Sequence, residues 1–161
     1  MKFLIAGAGA IGGYLGARMA HAGQDVTLYA RGPHLRAMQE RGLRVLSAHG
    51  DFEVRPRIVG DLKEAGPMDV IFLGVKANGL TLLAPQVQPL IGANTTIVST
   101  QNGIPWWYFQ THAGELTGLH LERVDPGGAI AAAIPGCSQK IFQYFFWVAR
   151  TLSSSVLPAP P

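Results

Sequence analysis

Six residues near the start of the chain combine type and spacing in a way that could do chemistry: Gly7-Ala8-Gly9-Ala10-Ile11-Gly12. A G-x-G-x-x-G run leaving a strand and opening a helix is suited to a dinucleotide pyrophosphate. Gly7 permits the tight turn, Gly9 lets backbone approach the phosphates without a Cβ in the way, and Gly12 lets helix and strand pack closely. The helix start adds unsatisfied N–H groups and a partial positive charge. About 20 residues on, NAD-specific folds place an Asp or Glu to hold the ribose 2′-hydroxyl. Here Tyr29-Ala30-Arg31 stands at that point, and the nearby acid Asp25 begins the strand rather than ending it. The planar, permanently charged fork of Arg31 suits a 2′-phosphate, which an acid would repel. The expected cofactor is therefore NADP(H). His34 and Arg36 could assist from the following helix, although a solvated surface role suits them better.

Two more polar positions follow apolar runs. Lys76 comes after Val70-Ile-Phe-Leu-Gly-Val75, and Asn102 after Ile97-Val-Ser-Thr-Gln101. Ligands of open α/β sheets sit outside the carboxyl ends of strands, so both would face one crevice. A lysine there can attract a carboxylate, and an asparagine amide can donate and accept hydrogen bonds.

These residues need an alternating scaffold, and the chain offers one. Strands are expected at 2–6, 25–30, 69–75 and 95–100, each apolar and β-branched or aromatic. Helices are expected at 10–22, with Gly23 as a stop, at 33–40, and at 78–91, the last interrupted by Pro85 and Pro89. Between them, 43–47 and 52–58 flank Ala48-His49-Gly50-Asp51 and read as a hairpin. The fold class is α/β, a Rossmann-type doubly wound parallel sheet in a single domain over 1–134. Composition then shifts. All ten acidic residues precede residue 134, whereas Tyr144-Phe-Phe-Trp147 and the Ser/Pro-rich end mark 135–161 as an atypical, disordered tail.

Composition limits the function classes. The 161 residues are 48% hydrophobic and 14% charged, which suits a globular domain rather than a disordered or coiled-coil chain. A net charge of +3 is too small to make nucleic acid or an anionic membrane the main partner. The apolar run 3–17 carries five glycines, against a secretory signal, and Ile141–Leu152 is too short to span a bilayer. The lone cysteine, Cys137, excludes an internal disulfide and fits a reducing, cytoplasmic setting. The five histidines lack metal-ligand spacing, and no nucleophile elbow or Walker loop occurs.

Taken together, Lys2-Phe-Leu-Ile-Ala-Gly-Ala-Gly-Ala-Ile-Gly12, Arg31, Val75-Lys76, Gln101-Asn102-Gly103 and Val124-Asp-Pro-Gly-Gly128 resemble the ketopantoate reductases (2-dehydropantoate 2-reductases) over about residues 1–134. The resemblance implies NADPH-dependent reduction of 2-dehydropantoate, a small 2-keto acid, to (R)-pantoate in pantothenate synthesis. It implies that Gly7, Gly9 and Gly12 hold the pyrophosphate, that Arg31 holds the 2′-phosphate, and that Lys76 and Asn102 lie beside nicotinamide and substrate. Gly79 stands near a place where family members often carry Gln or Asp. Family members also carry a helical second domain that supplies a catalytic lysine and a glutamate and commonly forms the dimer. Nothing after residue 134 matches it, so this chain is expected to be frameshifted or truncated, with nucleotide binding but little turnover. The readings left open are a non-catalytic NADP-binding module and another NADP-dependent hydroxy-acid dehydrogenase.

Overall fold

The computed structural model describes residues 1–48, 50–110, 114–134 and 140–143. The chain begins with strand β1 (Lys2–Ala6), helix α1 (Ala10–His21), β2 (Asp25–Tyr29) and α2 (Gly32–Arg41). The short strands β3 (Leu43–Val45), β4 (Phe52–Val54) and β5 (Arg57–Val59) follow. Then come β6 (Val70–Leu73), α3 (Ala77–Val87), β7 (Thr96–Ser99), α4 (Ala129–Ala133) and β8 (Lys140–Gln143).

Six strands form one sheet in the order β5-β2-β1-β6-β7-β8, and every neighbouring pair is parallel. Counted by sheet strands alone, this is the 3-2-1-4-5-6 arrangement of a dinucleotide-binding fold. The expected doubly wound parallel α/β sheet is present. Its order reverses between β1 and β6, so the crevice at their carboxyl ends is where such a fold receives a ligand.

Strand alternation divides the core. Leu4 and Ala6 of β1, with Ile71 and Leu73 of β6 and Ile97 of β7, join Leu80, Leu83, Ala84 and Val87 of α3 and Ile130 of α4. Ile5, Val26 and Leu28 face the other way, toward Met38 of α2 and partly buried Leu15 and Met19 of α1. Each buried large aliphatic side chain stabilises by roughly 1.5–3 kcal/mol. Residues on opposite sides of one strand thus fix helices on opposite faces of the sheet.

Three expectations need correction. The stretch 52–58 is not one hairpin arm. β4 pairs antiparallel with β3, whereas β5 pairs in parallel with β2 and extends the main sheet. Pro56 separates them, and a residue without an N–H cannot continue a ladder. The helix expected to be interrupted at Pro85 runs through it to Val87, and the chain then tightens into a 3-10 turn at Gln88–Leu90 with Pro89 in its first positions. Finally, part of the expected tail belongs to the domain. Lys140–Gln143 pairs with Thr96–Ser99 as the sixth strand, and Ile141 and Phe142 are residue types that favour strands. Cys137, the 144–147 aromatic run and the Ser/Pro-rich end lie outside the described residues.

Candidate functional site

The corner between β1 and α1 is fixed by close backbone approach. Gly7 has φ +117°, and its N–H donates to the Ile5 carbonyl at 3.0 Å. The Ala8 N–H donates to the Tyr29 carbonyl at 2.9 Å, tying the loop to the end of β2. A Cβ on Gly7 would sit 2.6 Å from Val75 Cγ1, and one on Gly12 would run into the Gly7 carbonyl oxygen and lie 3.0 Å from Ile5 Cγ2. Gly74, just past β6, is equally constrained, because a Cβ there would be 2.5 Å from the Gly7 oxygen. The two strand ends at the reversal point therefore meet through glycine.

Gly9 is different. A Cβ there would meet nothing within 4 Å, so no packing within the chain requires this glycine. The open space suits a group approaching the backbone from outside. Gly9 caps α1 without a side-chain hydrogen bond, and the first turn carries no acid. Ala10 and Ile11 are exposed at the positive end of the helix, where the first N–H groups have no intrahelical acceptor. Beside them lies a cleft of about 250 Å³, lined by Ala8, Gly9, Ala10, His34 and Arg44 among others. The residues present fit a dinucleotide diphosphate.

Arg31 stands two residues past the end of β2, as the exposed N-cap of α2. The Ala30 N–H donates to the Val59 carbonyl at 3.2 Å, which holds this turn against β5. Asp25 begins β2, at the opposite end of the sheet from the glycine corner. Of the two helpers considered, His34 lines the cleft and Arg36 does not.

The carboxyl ends of β6 and β7 are stitched together. The Thr100 hydroxyl donates to the Leu73 carbonyl at 2.9 Å, and the Gln101 amide donates to the Val75 carbonyl at 3.1 Å. This places Lys76, the exposed N-cap of α3, and exposed Asn102 on adjoining loops of one sheet edge. Gly79 sits in the first turn of α3, its N–H donating to the Lys76 carbonyl at 2.8 Å. A lysine and an amide on this edge can meet an anionic, hydroxylated or keto-bearing ligand. In the Val124–Gly128 segment the polar residue is structural. Asp125 is buried and accepts the N–H groups of Ile130 at 2.7 Å and Ala131 at 2.9 Å, capping α4.

Sequence reasoning missed Arg44 and Tyr14 as cleft residues. Neither belongs to a spacing motif; Tyr14 lies on α1, and the placement of Arg44 depends on how the β3–β4 hairpin folds back beside that helix. Among the described residues no cluster could hold a metal ion, and no helix is long and apolar enough to cross a membrane.

Comparison with known proteins agrees with this geometry. The sequence model of the family "Ketopantoate reductase PanE/ApbA" matches residues 3–106. The chain is 47% identical over 131 residues to a 2-dehydropantoate 2-reductase of Mesorhizobium japonicum, covering 81% of this chain and 40% of that protein. The crystal structure of a protein from Ralstonia solanacearum MolK2 described as a ketopantoate reductase superposes with a TM-score of 0.83 at 40% identity, over 91% of this chain and 44% of that one. A D-mandelate dehydrogenase solved with NADH and anilino(oxo)acetate gives 0.60 at 31% identity, over 65% of this chain and 34% of that one. The chain thus spans less than half the length of these relatives. On its glycine corner, its strand order and the match over residues 3–106, the chain belongs to the ketopantoate reductase PanE/ApbA family.

Proposed function

We propose that this chain binds NADPH at the β1–α1 corner and forms the cofactor-binding part of an enzyme that reduces 2-dehydropantoate to (R)-pantoate. The observation that carries the reading is the open space at Gly9 at the start of α1, together with an exposed Arg31 and no acid at the carboxyl end of β2. Bound NADPH supplies a hydride for the keto carbon of the substrate. The turn Gly7-Ala8-Gly9-Ala10-Ile11-Gly12 surrounds the diphosphate, which N–H groups at the start of α1 receive at no cost in side-chain reorganisation, while the Gly7 and Ala8 N–H groups hold the turn to Ile5 and Tyr29. Arg31 pairs with the 2′-phosphate. Lys76 attracts the substrate carboxylate to the sheet edge, and Asn102 orients the amide or carbonyl groups beside it. One cysteine in 161 residues supports a reducing, cytoplasmic setting.

A second reading, reduction of a different 2-oxo acid, is favoured by the likeness to D-mandelate dehydrogenase. Calorimetric titration separates the readings. The chain should bind NADPH at least about tenfold more tightly than NADH, one charge-assisted contact being worth that much. The NADPH-loaded chain should then bind 2-dehydropantoate more tightly than an aryl 2-oxo acid. Preference for NADH overturns the cofactor assignment, and preference for the aryl acid overturns the substrate.

A further inference from the structure

We propose that Arg44, on the β3–β4 hairpin, is a second cation for the 2′-phosphate and so helps set the preference for NADPH over NADH. The inference rests on the reading of the β1–α1 corner as the NADPH site. The hairpin is held to α1 at a fixed place, because Phe52 packs on His21 with ring centroids 4.4 Å apart and lies under Arg18 at 5.5 Å. Val45 is buried. Arg44, next to Val45 on β3, stands in the wall of the cleft that also contains Gly9, Ala10 and His34.

The cleft lining holds Arg44 and His34 but no carboxylate. Across the ladder Arg44 stands opposite Glu53, whose carboxylate lies 3.5 Å from Arg55, and the Arg44 guanidinium has donors to offer an anion as well. His34 lies three residues beyond Arg31, so this wall adjoins the helix that Arg31 caps, while Arg31 itself does not line the cleft. Arg44 already has a partner, since its Nη2 is 3.4 Å from Asp51 Oδ2, and the other Asp51 oxygen accepts the Ser47 N–H at 3.1 Å. That pair is exposed, with 69% and 50% of the two side chains accessible. An exposed pair of this kind holds its members weakly. The guanidinium carries five N–H donors, so it can engage phosphate while one remains on Asp51.

The test is calorimetric titration of the 161-residue chain with NADPH and with NADH, using wild type, Arg44→Ala, Arg44→Lys and Arg31→Ala. Arg44→Ala should weaken NADPH about tenfold and NADH less than about twofold, with Arg44→Lys recovering part of the loss. Unchanged NADPH affinity, or equal losses for both nucleotides, overturns the assignment. Thermal unfolding of each variant checks the fold, and if Arg44→Ala is unstable, Arg44→Lys against wild type decides. If Arg31→Ala erases the preference while Arg44→Ala does nothing, only the role of Arg44 falls. If wild type binds both nucleotides equally, the NADPH reading falls and takes this one with it.

Discussion

The glycine corner and the Lys76–Asn102 edge lie at the carboxyl side of the same sheet, yet they are built in opposite ways. At the corner, Gly7, Gly12 and Gly74 are packed so closely that a single added carbon has no room. At the edge, the backbone is tied by Thr100 and Gln101, while the side chains of chemical interest stay exposed. In the proposed reading the corner meets its ligand through backbone shape, so function and stability would share residues. In the same reading the edge would meet its ligand through Lys76 and Asn102, whose side chains are exposed. Gly9 is the exception that links the two, a corner residue spared by packing and kept open for something outside the chain.

Substitutions can break this contrast. The largest effect should come from Gly12→Ala. Its Cβ collides with the Gly7 carbonyl, and overpacking against backbone should cost about 3 kcal/mol, or roughly 6–12 °C in Tm by thermal unfolding. A melting temperature within about 2 °C of wild type would mean the corner is softer than its contacts imply. Next, Arg31→Glu should weaken NADPH roughly a hundredfold by replacing a charge-assisted bond with repulsion, while changing NADH much less. Equal losses would remove the reason to assign the 2′-phosphate to Arg31.

Gly9→Ala sharpens the comparison most. Its φ of −71° suits any residue and the space is open, so stability should stay within about 0.5 kcal/mol. Dinucleotide affinity should nevertheless fall about tenfold as the methyl takes the place of the phosphates. The smallest effect on the fold belongs to Lys76→Ala, with Tm changed by no more than about 1–2 °C. Keto-acid binding to the NADPH-loaded chain should weaken about tenfold, as measured by calorimetry.

How much of this was legible in the sequence follows the same division. The places of Gly7, Gly9 and Gly12 at the β1–α1 turn and of Arg31 after β2 could be read because local order within one βαβ unit decides where they stand. The strands β1, β2, β6 and β7 were legible because burial on both faces leaves continuous apolar runs. The fate of 52–59 was not, since the choice between pairing with β3 and pairing with β2 is made by partners far away in sequence. Strand β8 was masked by the aromatic and proline-rich composition that surrounds it. Arg44 left no local signal at all. It reaches the cleft only because Phe52 settles on α1, which is a tertiary event.

The most direct test of the corner as a built NADPH site is an amide chemical-shift titration of the isotope-labelled chain with NADPH. The account predicts the largest shifts at residues 7–12 and at Arg31, with Gln24 and Arg57, in the cleft that Asp25 lines at the start of β2, left unmoved. Shifts centred on that opposite cleft, or none at the glycines under saturating nucleotide, would contradict it.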